Sequence, residues 1–170
     1  MMSMVIDKTD TTCCFFGHRT INETEELKEK LCNVIENLIV NEKVDTFLFG
    51  SKSRFDSLCL ELVTKLKEKK HPHIKRVYMR AEYPVIDESY RAYLLESYEE
   101  TYYPEKLVGA GRAVYVERNY EMIDRSRFCV VYYDNVHTPV KRKSGTKLAY
   151  DYAVKRGRAI VNAVLDSVSS

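Results

Sequence analysis

The chain has no tryptophan, no CxxC pair, no apolar run long enough to span a bilayer and almost no net charge, and each absence excludes a class of function. Its 27 basic and 25 acidic side chains leave a formal charge of +2, so no global basic field exists to draw in nucleic acid. The cluster Lys141-Arg142-Lys143 is the local hint of one, and it reads more simply as a loop near a phosphate site. The five cysteines (Cys13, Cys14, Cys32, Cys59, Cys129) show no metal-ligand spacing, and small buried thiols in a reducing compartment account for them. His71-Pro72-His73 lacks a third ligand, which favours a surface turn over a metal site. No metal centre and no cofactor are expected. Neither a Walker A pattern nor GxGxxG occurs, which argues against a P-loop ATPase or a standard dinucleotide enzyme. Residues 1–12 carry no apolar core of signal-peptide length, so the expectation is a cytoplasmic protein without a membrane partner.

What is present is alternation. With 170 residues and no repeat, linker or low-complexity segment, the chain reads as one domain, residues 1–11 forming a loose leader. Strand-forming runs are predicted at 11–16, 46–49, 74–79, 106–108, 128–133 and 159–161. Helices are predicted between them. The first is capped by Asn22 with Glu25 as capping-box partner and carries Leu27, Leu31, Val34, Ile35, Leu38 and Ile39. Others carry Leu58, Leu62, Val63 and Leu66, then the aromatic segment 87–100, then 146–156. In a further helix, Ala113, Val116, Tyr120 and Ile123 mark a buried stripe, with Glu117, Arg118 and Asn119 off it.

Strands alternating with helices predict an α/β fold, a parallel sheet with helices on both faces. Right-handed crossovers then collect every strand-to-helix loop on one sheet edge, where ligands of such sheets bind. That edge gathers Gly17-His18-Arg19, Gly50-Ser51-Lys52, Asp134 and Ser144-Gly145-Thr146. Gly145-Thr146 and Gly50-Ser51-Lys52-Ser53 open helices directly and suit phosphate, although ordinary capping explains the same residues. His18 and Arg19 fit phosphate binding or proton transfer as well as a structural turn. Asp56 and Asp134 fit a ribose hydroxyl or a purely local electrostatic role. Arg118 between Glu117 and Asn119 suits an anionic, hydrogen-bonding ligand, against the alternative of a solvated salt-bridge cluster.

Four pieces in order resemble a known family: Cys13-Cys14-Phe15-Phe16-Gly17-His18-Arg19; Phe47-Leu48-Phe49-Gly50 with Arg54-Phe55-Asp56; Arg118-Asn119-Tyr120-Glu121-Met122-Ile123-Asp124; and Ser144-Gly145-Thr146 ahead of Tyr152-Ala153. Together they resemble the YpsA-like branch of the SLOG superfamily, which also holds the Lonely Guy and DprA-like proteins, over residues 12–161. The resemblance implies a modified Rossmann-like fold with a nucleotide-type ligand at the loop edge. The Lonely Guy branch cleaves the N-glycosidic bond of nucleoside monophosphates with a helical arginine, matched by Arg118, and a glutamate soon after Gly-Thr. That glutamate is absent: Lys147, Leu148, Ala149 and Tyr150 follow Thr146, and Asp151 is the nearest carboxylate. A glycosidase needs a carboxylate to stabilise an oxocarbenium-like centre and activate water. Binding of a nucleotide or nucleotide-derived ligand, such as an ADP-ribose derivative, in a sensing or sequestering role is therefore favoured. The alternative is a phosphoribohydrolase using Glu117 or Asp151. A third reading is an interaction module with a degenerate pocket, the aromatic run 90–103 serving as its contact surface or as a homodimer interface.

Overall fold

A computed structural model describes residues 8–134 and 144–165. Six strands form one all-parallel sheet: β1 (Thr12–Gly17), β2 (Thr46–Phe49), β3 (Lys75–Met79), β4 (Glu100–Tyr102), β5 (Phe128–Tyr132) and β6 (Ala159–Asn162). Their spatial order is β4-β3-β2-β1-β5-β6. Among the described residues five α-helices accompany them: α1 (Glu25–Val40), α2 (Arg54–Lys69), α3 (Glu88–Leu94), α4 (Val114–Asp124) and α5 (Gly145–Lys155). This is the expected Rossmann-like α/β architecture.

The period-two geometry of a strand divides the core between the sheet's two faces. Cys13 and Phe15 point to one side with Phe47, Phe49 and Val130, where they meet Leu27, Leu31 and Ile35 of α1 and Phe55, Leu58 and Val63 of α2. Cys14 and Phe16 point to the other with Leu48 and Val131, against Met122 and Ile123 of α4 and Ala149 and Ala153 of α5. Central β1 and β5 are buried on both faces, which is why their sequences are continuous apolar runs rather than alternating ones. Cys14 and Cys129 stand in register on these strands with their sulfurs 3.6 Å apart, and all five cysteines are free thiols.

Several expectations are corrected. Residues 8–11 are no loose leader: they form a 3-10 turn held by Thr12 Oγ1 donating to Lys8 O (2.6 Å) and Arg127 N donating to Thr9 O (3.0 Å). The cap of α1 is Thr24, whose hydroxyl accepts from Leu27 N (3.1 Å), so Asn22 and Glu25 make no capping box. The aromatic segment holds only the short α3, and 100–102 is the fourth strand. Residues 105–107, predicted as strand, form a 3-10 turn. A long-range pair decides this: Arg76 grips Glu99 through two nitrogens (3.1 and 2.7 Å), drawing the chain alongside β3. The buried face of α4 is Arg118, Met122 and Ile123, while Ala113 is exposed and Val116 and Tyr120 are half-buried. The aromatic run is no single patch either. Tyr98 stacks on buried Tyr78 with centroids 5.2 Å apart, whereas Tyr93 is 65% exposed. Among the described residues no helix is long and apolar enough to cross a membrane.

Candidate functional site

From β1 the chain steps outward through β2 and β3 to β4, then returns across the sheet to enter β5 on the opposite side of β1. The connections diverge at this switch point and leave a crevice beyond the strand ends. A cleft of about 670 Å³ lies there. It brings together Gly17, His18 and Arg19 after β1, Gly50, Ser51 and Lys52 after β2, Arg118 and Asn119 of α4, and Ser144, Gly145 and Thr146 at the start of α5. These residues are up to 129 positions apart in the chain (from 17 to 146) and share one wall only through the fold.

Arg118 is its most unusual member. It is 5% exposed, and its guanidinium donates to Gly50 O from one terminal nitrogen and to Asn119 Oδ1 from Nε (3.1 Å). Burial lowers its pKa, an effect partly offset by the Asp56 charge, but arginine remains a cation in either case. The guanidinium carbon also sits 5.8 Å from the ring centroid of Tyr115. Gly50 is small because Arg118 passes directly over it: a Cβ there would lie 2.6 Å from Arg118 Cδ and 2.9 Å from Met122 Sδ. Gly50→Ala is accordingly expected to cost about 1–3 kcal/mol of stability, read by denaturant unfolding, and to displace Arg118. Unchanged stability would show that Arg118 yields at no cost.

Asp56 lies beneath the same loop rather than on the cleft wall. It is 3% exposed and its Oδ2 accepts from Gly50 N (3.4 Å) and Ser51 N (3.1 Å), while Ser53 Oγ lies 3.4 Å from Oδ1. Ser53, the cap of α2, accepts in turn from Asp56 N (3.1 Å). Burial raises the Asp56 pKa to about 6, against the pull of the Ser51 and Gly50 amides, the Arg118 charge and the Ser53 hydroxyl. Its geometry is that of a brace which shapes the 50–53 turn.

His18 Nε2 accepts from Asp134 N (2.8 Å), which places the neutral ring's proton on Nδ1. Asp134 thus contributes its backbone amide to the site, and its side chain does not line the cleft. Arg54 reaches the wall, but Glu23 engages its guanidinium twice (2.6 and 2.5 Å). Among the described residues no carboxylate pairs with Arg19 or Lys52, so these two cations and Arg118 face the cleft. Glu117 and Asp151 stand elsewhere: Glu117 lies 3.8 Å from Lys106 Nζ, and Asp151 accepts from Lys147 Nζ (2.8 Å) on the exposed side of α5. For Glu117 the solvated salt-bridge reading holds.

Sequence reasoning missed Glu82, the one carboxylate among the described lining residues, together with Tyr78, Ala81 and Tyr115. Glu82 Oε1 accepts from Tyr115 OH (2.8 Å). Its segment is held by buried Arg80, which donates to Tyr83 O (3.2 Å), Pro84 O (3.4 Å) and Thr101 Oγ1 (3.0 Å). The signal for Glu82 was its place just after β3, at the same sheet edge as the other loops. Among the described residues no group of three or more His, Cys, Asp or Glu side chains could hold a metal ion. Lys141, Arg142 and Lys143 lie outside the described residues.

No protein-family model matches the chain. It is 32% identical over 148 residues to the uncharacterized SPbeta prophage-derived protein YoqJ of Bacillus subtilis (strain 168), a similarity covering 76% of this chain and 81% of that protein.

Proposed function

The chain belongs to the family of that prophage protein, and we propose that its cleft binds a nucleotide or nucleotide-derived ligand, such as an ADP-ribose derivative, in a sensing or sequestering role. One observation carries the reading: a buried arginine, two further cations and two helix starts converge on a cleft at the topological switch point. Arg118 is fixed by Gly50 and Asn119 before any ligand arrives, so little ordering cost attends binding. The first amides of α5, behind its Ser144 cap, offer neutral donors beside these charges. We also propose membership of the SLOG superfamily, on the motifs that now share this cleft.

Binding is favoured over turnover because Glu117 and Asp151 lie off the cleft wall. A hydrolase reading rests instead on Glu82, placed in the cleft against Tyr115 OH. The two readings separate in one experiment. Purified protein is heated with AMP, ADP, ADP-ribose, cyclic ADP-ribose isomers and NAD, and each mixture is then resolved by chromatography. A ligand at a hundred times its dissociation constant is expected to add about 2.7 kcal/mol of stability and raise the midpoint. Free base that vanishes in Glu82→Gln establishes turnover; a raised midpoint with intact ligand establishes a binder. A flat panel rejects both.

A further inference from the structure

We propose that the cavity beside the cleft is a base-stacking subsite, so that the ligand's planar base lies among Tyr90, Tyr93 and Tyr98 while its phosphates meet the Ser51-Lys52 turn. The inference rests on the nucleotide reading above and adds the ligand's orientation. The cavity holds about 350 Å³ and shares Ser51, Lys52 and Tyr78 with the main cleft, so one molecule can occupy both. The shared residues supply a cation and a small hydroxyl side chain at the joint, as a phosphate linker requires.

The two compartments differ in chemistry. The main cleft presents Arg118, Arg19 and Lys52. Beyond the joint, the side cavity presents apolar Phe49, Leu60 and Leu94, four tyrosines and the hydroxyls of Ser57 and Ser97. The one carboxylate on its wall, Asp56, is already engaged by the loop amides. Such a wall suits an uncharged flat ring with polar edges and rejects a second phosphate.

The tyrosines themselves are arranged for stacking. Tyr78 and Tyr98 are stacked at 5.2 Å and 22°, and Tyr90 and Tyr93 at 6.2 Å and 18°. Core packing explains Tyr78 and Tyr98, which burial holds, but it leaves Tyr93 at 65% exposure with a large open face. Aromatic faces stack any base, so the subsite selects for a planar ring more than for its identity. With the base placed there, the main cleft is left for a second polar group beyond the phosphates. Glu82 is the acceptor available to hydroxyls of a distal sugar.

The test compares ADP-ribose with base-free ribose 5-phosphate by calorimetry on the wild type, Tyr93→Ala and Ser97→Phe. Tyr93 and Ser97 are both exposed, so the variants are expected to fold, and a phenylalanine at 97 fills the cavity. Removing a stacking partner should weaken ADP-ribose by roughly five- to a hundredfold. Ribose 5-phosphate should change by less than about twofold, a loss well below that of one charged hydrogen bond. Unchanged ADP-ribose affinity in both variants, or equal losses for the two probes, overturns the base subsite and leaves the nucleotide reading standing. Failure of the wild type to bind ADP-ribose overturns the base subsite, and the nucleotide reading falls with it only when AMP, ADP and NAD also leave the protein unbound.

Discussion

Asp56→Ala is expected to destabilise the protein by about 2–4 kcal/mol at neutral pH, whereas Asp56→Asn should be neutral or stabilising there. Alanine leaves the buried Gly50 and Ser51 amides without an acceptor and Arg118 without its neighbouring negative charge. Asparagine keeps the acceptor and loses only the charge. The pair therefore separates a brace that works through hydrogen bonds from one that works through ionic attraction. The pH dependence follows from the raised pKa. A carboxyl that holds its proton more tightly when folded gives its full contribution to stability below its ordinary value of 3.8, and loses it as pH rises through about 6. The difference is about 3 kcal/mol at pH 7 and above. Asp56→Asn should abolish the decline between pH 4 and 6 that this residue contributes. Chemical denaturation of both variants at pH 4, 6 and 8 measures these effects; equal losses in alanine and asparagine would sink the hydrogen-bond account.

The second large effect is on binding. Arg118→Met should lower the affinity for a phosphate-bearing nucleotide by roughly ten- to a hundredfold, since a charged hydrogen bond contributes about 1.5–3 kcal/mol. Stability should fall as well, because the methionine leaves Gly50 O without its donor and buried Asp56 without its neighbouring positive charge. Affinity is therefore read at a temperature where wild type and variant are both fully folded. Lysine should not rescue, because it lacks the planar fork that bonds Gly50 O and Asn119 Oδ1 at once. Calorimetry and thermal melting on Arg118→Met and Arg118→Lys test this. Affinity within about twofold of wild type in both would remove Arg118 from the site and take the cation argument with it.

The architecture was legible because its cause is periodic. Apolar runs at 12–16, 46–49 and 128–132, separated by helical patterns such as Leu27, Leu31 and Ile35, can bury their surfaces only as a parallel sheet clad on both faces. Handedness then puts the loops after β1 and β2 and the start of α5 on one edge, and the structure brings Gly17, Gly50 and Gly145 to one cleft. The segment between β3 and α4 was not legible. There the order is set by Arg76 reaching Glu99 and Arg80 reaching Thr101, pairs 23 and 21 residues apart that no local pattern encodes.

The sequence by itself thus determined the fold class, the sheet edge at which the cleft lies and most of the residues lining it, because hydrophobic period and chain handedness are local properties. Only the tertiary structure decided what each of those residues does. It turned Arg118 inward over Gly50, placed Asp56 under the loop and left Glu117 and Asp151 on the surface. It also carried Glu82 into the cleft and set Tyr93 at the side cavity. Those roles depend on which side chains the packed sheet brings within a few ångströms, and distance in space is not written in spacing along the chain.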